Sequence, residues 1–349
     1  MKHFYKGISL LTLVAGLNAT AQDDLHFSQF YNALPILNPA NSGIFYGNVR
    51  ANMHYRSQWS QTGTPFTTMA GSIDLPVLDE ITGNDMIAAG VYGIKDEYGI
   101  TKNAVTGGGL NLAFGKSFDP DERHFWSLGA KAAFTQLSID YSGARWGSMW
   151  SITDNDWDTK LPGELIGTAS KTYTDFGAGF NYFFSDHQFI RSTWGISMNH
   201  INKPKVEFQG DEYQLSRSVF VHGEVDIFSH GGKFSIVPRT AAFVQGRSRY
   251  FILGSSFDFL LKQAGKHVGE VKETSLEFGL HYRWRDAVIA HTQFNYGGLS
   301  FGASYDITVS KLSKAVQSSG GFEVYLHYKA GFKKGVHEKH TNDRFDSIH

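Results

Sequence analysis

The sequence predicts an all-β fold, a transmembrane antiparallel up-and-down β-barrel of about fourteen strands, and three observations predict it. Long runs alternate strictly between apolar and polar residues. Turn residues punctuate them at short intervals. Beyond the N-terminal leader no run of roughly 18 apolar residues occurs, so membrane-spanning helices are excluded while strands are not.

The clearest alternation lies near the C-terminus. Leu299, Phe301, Ala303, Tyr305, Ile307 and Val309 alternate with Ser300, Gly302, Ser304, Asp306 and Thr308. Phe322, Val324, Leu326 and Tyr328 alternate with Glu323, Tyr325, His327 and Lys329. A run of about ten residues, rising roughly 3.3 Å each and tilted near 45°, spans the hydrocarbon core of a bilayer. The apolar set is expected to face lipid and the polar set the lumen.

From the N-terminus, Lys2 and Lys6 flank the start of an apolar stretch, Ile8 to Leu17, and Ala19-Thr20-Ala21 supplies an A-x-A site. Residues 1–21 are therefore expected to be a secretory signal peptide, with Gln22 the first mature residue. Residues 22–42 are not strand-like. They carry Leu34-Pro35 and Asn38-Pro39-Ala40 among Phe27, Phe30 and Tyr31, and are expected to form a periplasmic lead-in segment at the barrel's end or inside its mouth.

The barrel is assigned to residues 43–332, with strands expected near 45–58, 66–75, 86–97, 103–116, 124–140, 173–184, 188–200, 214–229, 232–245, 249–262, 273–284, 286–295, 298–309 and 321–332. An even number returns both chain termini to one side, so the N- and C-termini are expected to be periplasmic. His222, Glu224, Asp226, Glu277, His281 and Arg283 alternate with apolar neighbours and belong in the lumen, because an Arg facing lipid costs roughly 2–4 kcal/mol at the midplane. Trp59, Trp126 and Trp284, at strand ends, suit interfacial girdles. Pro238 sits inside a strand, where it removes a ladder hydrogen bond. A polar tail, 333–349, is expected to lie in the periplasm.

Composition fits this architecture. Glycine is abundant (38), proline scarce (8) and aromatics reach 15%. The net charge of −1 argues against a nucleic-acid partner held by bulk electrostatics. With no cysteine, disulfides, thiolate metal sites and cysteine nucleophiles are excluded.

Residues 141–172 form the longest connection and the first candidate for an outer functional loop. Trp146, Trp150 and Trp157 within it are candidate partner-binding anchors, weighed against packing of the loop on itself. Asp154-Asn155-Asp156-Trp157-Asp158 has the spacing that opens a calcium loop, but Thr159 stands where glycine is needed and Leu165 where the closing glutamate is needed. A solvated acidic loop is the better reading, as a solvated tail is for His337 and His340. Gly107-Gly108-Gly109 lacks a following helix and reads as small residues in a crowded wall, not a phosphate loop. No G-x-S-x-G elbow occurs, so neither a catalytic residue nor a cofactor or metal site is assigned.

The two ends of the chain together carry a family resemblance. Asp24 to Tyr31, with His26, Phe27, Gln29 and Phe30, then Leu37-Asn38-Pro39-Ala40, then Tyr55-Arg56-Ser57-Gln58-Trp59, resemble the N-terminal signature of the PorP/SprF family of type IX secretion system outer-membrane proteins. Tyr282-Arg283, Asp286-Ala287, Ser304-Tyr305-Asp306-Ile307, Ser310-Lys311-Leu312 and Gly321-Phe322-Glu323-Val324 resemble its closing segment. The resemblance implies a non-enzymatic barrel of a gram-negative outer membrane. Such a barrel binds and anchors a secreted or surface protein with a type B C-terminal domain, in contact with outer-membrane lipid and other secretion components. In some members it is linked to gliding and adhesin export. The 141–172 loop and the polar tail fall outside the pattern. Rival readings are a general diffusion porin or hydrophobic-substrate channel, and a lipid-modifying barrel enzyme. If the faces are assigned correctly, Leu326→Arg blocks insertion and Glu323→Lys is tolerated.

Overall fold

The computed structural model describes residues 25–330, apart from 46, 61–64, 80, 82–83, 100, 142–143, 145–146, 154–155, 159–168, 209–210, 263–272 and 315–318. The leader and the polar tail lie outside the described residues, as do Trp146, Asp154 and Asn155.

Fourteen antiparallel strands close into a barrel. They are β1 (Val49–Gln58), β2 (Phe66–Asp79), β3 (Asp85–Tyr98), β4 (Asn103–Ser117), β5 (His124–Ile139), β6 (Ala169–Ser185) and β7 (Ile190–Asn199). The second half comprises β8 (Ser218–Phe228), β9 (Phe234–Gln245), β10 (Ser248–Lys262), β11 (Thr274–Arg283), β12 (Ala287–Tyr296), β13 (Leu299–Thr308) and β14 (Ser319–Ala330). Each pairs with its sequence neighbours, and β1 closes on β14 from Val49 opposite Ala330 to Gln58 opposite Gly321. Closure leaves no open edge, as an apolar solvent requires.

The two ends differ. One, the loop end, carries connections 59–65, 99–102, 140–168, 200–217, 246–247, 284–286 and 309–318. The other, the turn end, carries 80–84, 118–123, 186–189, 229–233, 263–273 and 297–298, together with the start of β1 and the end of β14. Two short hairpins stand at the loop end, 150–151 with 156–157 and 205–208 with 211–214.

Period two sorts the wall as expected. Leu299, Phe301, Tyr305, Ile307, Phe322, Leu326 and Tyr328 are exposed on the outer surface, whereas Ser304, Asp306, Glu323 and Tyr325 are buried inside. His222, Asp226, Glu277, His281 and Arg283 also face inward and are buried. At the loop end Trp59 meets Phe66, which stacks on Tyr98, and Trp284 meets Tyr282. At the turn end Trp126 packs on Phe114 and Phe118. Rings with an apolar body suit the two bilayer interfaces. Pro238 falls where the β8–β9 ladder is interrupted, between the pairs Glu224–Arg239 and Ile227–Ile236, so its missing N–H costs no bond on that side.

Turn-end connections are fixed by carboxylates. Asp119 accepts from the backbone N–H of Arg123 (2.7 Å) and His124 (3.0 Å) and from the Ser117 hydroxyl (2.8 Å). Asp186 accepts from the N–H of Gln188, Phe189 and Ile190 at 2.8–2.9 Å. Slight burial would raise both pKa values, but the donors outweigh it and hold both carboxyls below the usual range.

Candidate functional site

The lead-in segment is the plug of this barrel. From Leu25 to Asn48 the chain runs through the lumen, bent by a 3₁₀ turn at Phe30–Asn32, a single helical turn α1 (Leu34–Leu37) and a second 3₁₀ turn at Pro39–Asn41. Pro35 and Pro39 stand in the first turns of the latter two, where a missing N–H is harmless. Asn38 caps the last turn, its Oδ1 accepting from Ala40 N at 3.0 Å.

The segment's short turns pair part of its backbone, and the wall's side chains supply partners for further buried groups. The carbonyl of Pro35 accepts from Asn111 of β4 (2.6 Å), that of Ala40 from Ser127 of β5 (2.6 Å) and that of Leu37 from Ser197 of β7 (2.7 Å). Asn38 Nδ2 donates to the Phe180 carbonyl of β6 (3.1 Å). Asn38 Nδ2 and Asn41 Nδ2 each lie 3.3 Å from His222 Nε2 of β8. Two amide donors on one ring nitrogen make it the acceptor, which assigns the proton to Nδ1.

Apolar contacts cross the lumen. Phe27, Phe30, Ala33, Ile36 and Leu37 share a buried cluster with Ala70 of β2, Phe220 of β8, Ala241 and Phe243 of β9 and Ile252 of β10, with Tyr92 and Ile94 of β3 against it. Tyr31 meets His281 of β11 and His291 of β12, and the Arg239 guanidinium of β9 lies 3.8 Å from its ring centre. Glycine makes room at the seat. A Cβ on Gly129 would lie 2.3 Å from Ala40 N, and one on Gly179 would lie 2.0 Å from Asn38 Oδ1.

The plug's two ends are held by charge. At the loop end Arg56 of β1, Arg283 of β11, Asp306 of β13 and Glu323 of β14 converge, all buried. Arg56 binds Asp306 (3.0 Å) and Glu323 (3.1 Å), and Arg283 binds Asp306 (2.9 Å). The plug completes the set. Glu323 accepts the N–H of Ser28 (2.8 Å) and of Gln29 (3.0 Å), the Ser28 hydroxyl donates to Asp306 (2.7 Å), and Arg56 donates to Ser28 Oγ. Two cations and two carboxylates balance, so no net charge is buried. At the turn end Asp74 of β2 accepts from Gly43 N (2.7 Å) and pairs with Arg50 (2.8 Å), whose guanidinium also donates to the carbonyls of Asn41 (2.8 Å) and Ile44 (3.2 Å). With Met86 and Ala88 of β3 packed beneath Gly43, the plug touches all fourteen strands.

The residues singled out in the sequence divide into groups. His26, Phe27, Gln29, Phe30, Asn38 and Pro39 lie in the plug, and Arg56, Asp306 and Glu323 meet it at Ser28. Tyr55 and Tyr305 face outward, and Trp59 opens the first loop in a left-handed conformation (φ 54°). Trp150 and Trp157 face each other across their hairpin, ring centres 5.2 Å apart at 77°, with Ile152 beyond them 89% exposed. Glu323 also corrects an expectation: it is fully buried between Arg56 and the plug's N–H groups, so a lysine there would meet the Arg56 guanidinium and leave those N–H groups without their acceptor.

Sequence reasoning missed Ser28, Arg239 and Asp74 as plug contacts. The nearest approach to a hydrolytic trio among the described residues is Ser256, His291 and Glu277. Ser256 Oγ and Glu277 Oε1 both approach His291 Nε2 (3.2 and 3.0 Å), whereas a triad needs one partner on each ring nitrogen. No group of three or more metal-ligating side chains occurs among the described residues. A cavity of about 180 Å³ remains between plug and wall, reaching Lys329 and Arg191 near the turn end.

Solved structures with this architecture are outer-membrane barrels. A Pseudomonas aeruginosa FadL homologue matches at 8% identity and TM-score 0.50, covering 85% of this chain and 94% of its own. The Ralstonia pickettii toluene transporter TbuX matches at 11% identity and TM-score 0.48, covering 86% and 94%. The P. putida toluene transporter TodX matches at 9% identity and TM-score 0.48, covering 87% and 95%. At 8% identity the likeness to the FadL homologue shows the fold alone. No curated protein matches. The family model for "Type IX secretion system membrane protein PorP/SprF" matches residues 19–328, nearly the whole chain, and the protein belongs to that family.

Proposed function

We propose that this chain is a closed, non-enzymatic outer-membrane barrel that anchors a secreted or surface protein of the type IX system, one with a type B C-terminal domain. The observation that carries the reading is the plug: a segment in contact with all fourteen strands, and hydrogen-bonded to many of them, makes the lumen a binding scaffold instead of a conduit. That counts against a diffusion porin. The loop end then faces the cell exterior and the turn end the periplasm, because the two longest connections share the loop end and the leader directs export. Recognition falls to the loop end, where the Trp150–Trp157 hairpin presents exposed aromatic and aliphatic surface.

Affinity capture from detergent-solubilised outer membranes tests this. The expected result is co-purification of a secreted protein with a type B C-terminal domain, reduced at least tenfold by Trp150→Ala with Trp157→Ala. A folded barrel that retains no such protein would overturn the reading.

A further inference from the structure

Lys329 faces the lumen without an ion pair among the described residues. It is the second-last residue of β14, at the turn end, and its cross-strand neighbour on β1 is Arg50, a like charge. On the other side its N–H donates to the carbonyl of Gly298, which brings no side chain (2.7 Å). Like charges directly opposite each other destabilise a sheet. Arg50 is relieved by Asp74 at 2.8 Å, and nothing comparable relieves Lys329.

Lys329 lines the cavity of about 180 Å³ between plug and wall. Two carboxylates face that cavity, and arginines engage both. Asp226 binds Arg191 at 2.8 Å, and Glu224 binds Arg239, which also takes Glu277. Neither is left for the ammonium. Two further polar groups face the same space: the Tyr31 hydroxyl of the plug, and His327 Nε2, two residues before Lys329 on β14 and a donor whenever it carries a proton. Both are buried and meet no hydrogen-bond partner among the described residues. A buried donor without an acceptor is costly, so all three groups favour an acceptor between them.

We infer that this cavity binds a small soluble oxyanion of the phosphate class, held by Lys329 and reached by Tyr31 and His327, with the Arg191 guanidinium across the cavity. A tetrahedral oxyanion offers acceptors in several directions, as donors converging from β14, β7 and the plug require. The volume equals about six waters at roughly 30 Å³ each, room for one such group and a few waters and too little for an oligosaccharide or a folded chain. Arg50, Arg191 and Lys329 each stand second from a strand terminus at the turn end, so the mouth opens there into water and not into lipid. On the orientation given under Proposed function that side is the periplasm; the binding itself does not depend on it. Once bound, the oxyanion bridges β14 to Tyr31 and so helps to hold the plug.

Isothermal titration calorimetry of the full-length folded barrel in detergent, with inorganic phosphate alone at constant ionic strength, tests this. One saturable site is expected in the unaltered protein. Lys329→Gln should weaken it at least tenfold, and Lys233→Gln, in the exposed 229–233 turn, should leave it unchanged within about twofold. A second measurement needs no variant: in the unaltered barrel, phosphate should slow acetylation of Lys329 by an amine-reactive ester at least fivefold, read by peptide mass spectrometry, and leave that of Lys233 unaffected. The inference is overturned by the absence of saturable binding to the folded barrel, by binding that survives Lys329→Gln or falls equally in both variants, or by equal acetylation of Lys329 with and without phosphate.

Discussion

The plug is anchored differently at its two extremities and at its centre. At Ser28 the wall offers charge: Arg56, Arg283, Asp306 and Glu323 satisfy one another only in part, and the plug's hydroxyl and N–H groups complete them. At Asn38–Ala40 the wall offers shape, with glycines on β5 and β6 clearing space and neutral donors meeting carbonyls. A buried charge that loses its partner is costly, whereas a neutral seat can relax. The loop-end cluster is therefore the lock, and the central seat sets register.

Breaking the lock is expected to have the largest effect. Glu323→Ala strands one buried guanidinium interaction and two N–H groups, a loss of about 3–5 kcal/mol. The plug should become sensitive to protease in the folded barrel, and the urea midpoint should fall. Resistance equal to that of the unaltered protein would show that the cluster does not hold the plug. Leu326→Arg is the control on the other face of the same strand. It places a charge in lipid at roughly 2–4 kcal/mol, so it should lower the yield of folded barrel, read by heat-modifiable migration, while any barrel that forms keeps its plug protected.

Altering the seat is expected to do less. Gly129→Val drives a side chain into the backbone at Pro39 and Ala40, for which overpacking costs about 1–3 kcal/mol. Protease should then cut around residue 40 while Ser28 stays bound. Cleavage at both sites would mean that seat and lock open together.

The smallest effect concerns pH. Asp119 and Asp186 have folded-state pKa values below their ordinary range, so their contribution is present above the unfolded carboxylate pKa and is lost as pH falls through the lowered folded values. Asp186→Ala should lower neutral stability slightly and leave stability at low pH nearly unchanged, so that the acid limb flattens; an equal loss at both pH values would contradict the hydrogen-bonding role.

The wall was legible because lipid enforces period two on every strand: all fourteen strands and the inward course of Glu277, His281 and Arg283 follow from alternation. The plug was less legible. Its short turns have no periodicity, and its partners are remote, Ser28 and Asp306 being 278 residues apart in the chain. One signal did exist. The strings that resemble the PorP/SprF family at the two ends of the sequence include Arg56, Asp306 and Glu323, which meet each other inside the lumen, and nothing in their spacing reveals that meeting. Gly129 and Gly179 were equally silent, since a glycine in a strand does not announce which segment approaches it.

Conductance of the purified protein in planar bilayers tests the closed lumen most directly. The unaltered barrel should be silent, and Glu323→Ala should show ion-conducting openings as the plug detaches. A large, steady open pore in the unaltered protein would contradict the account.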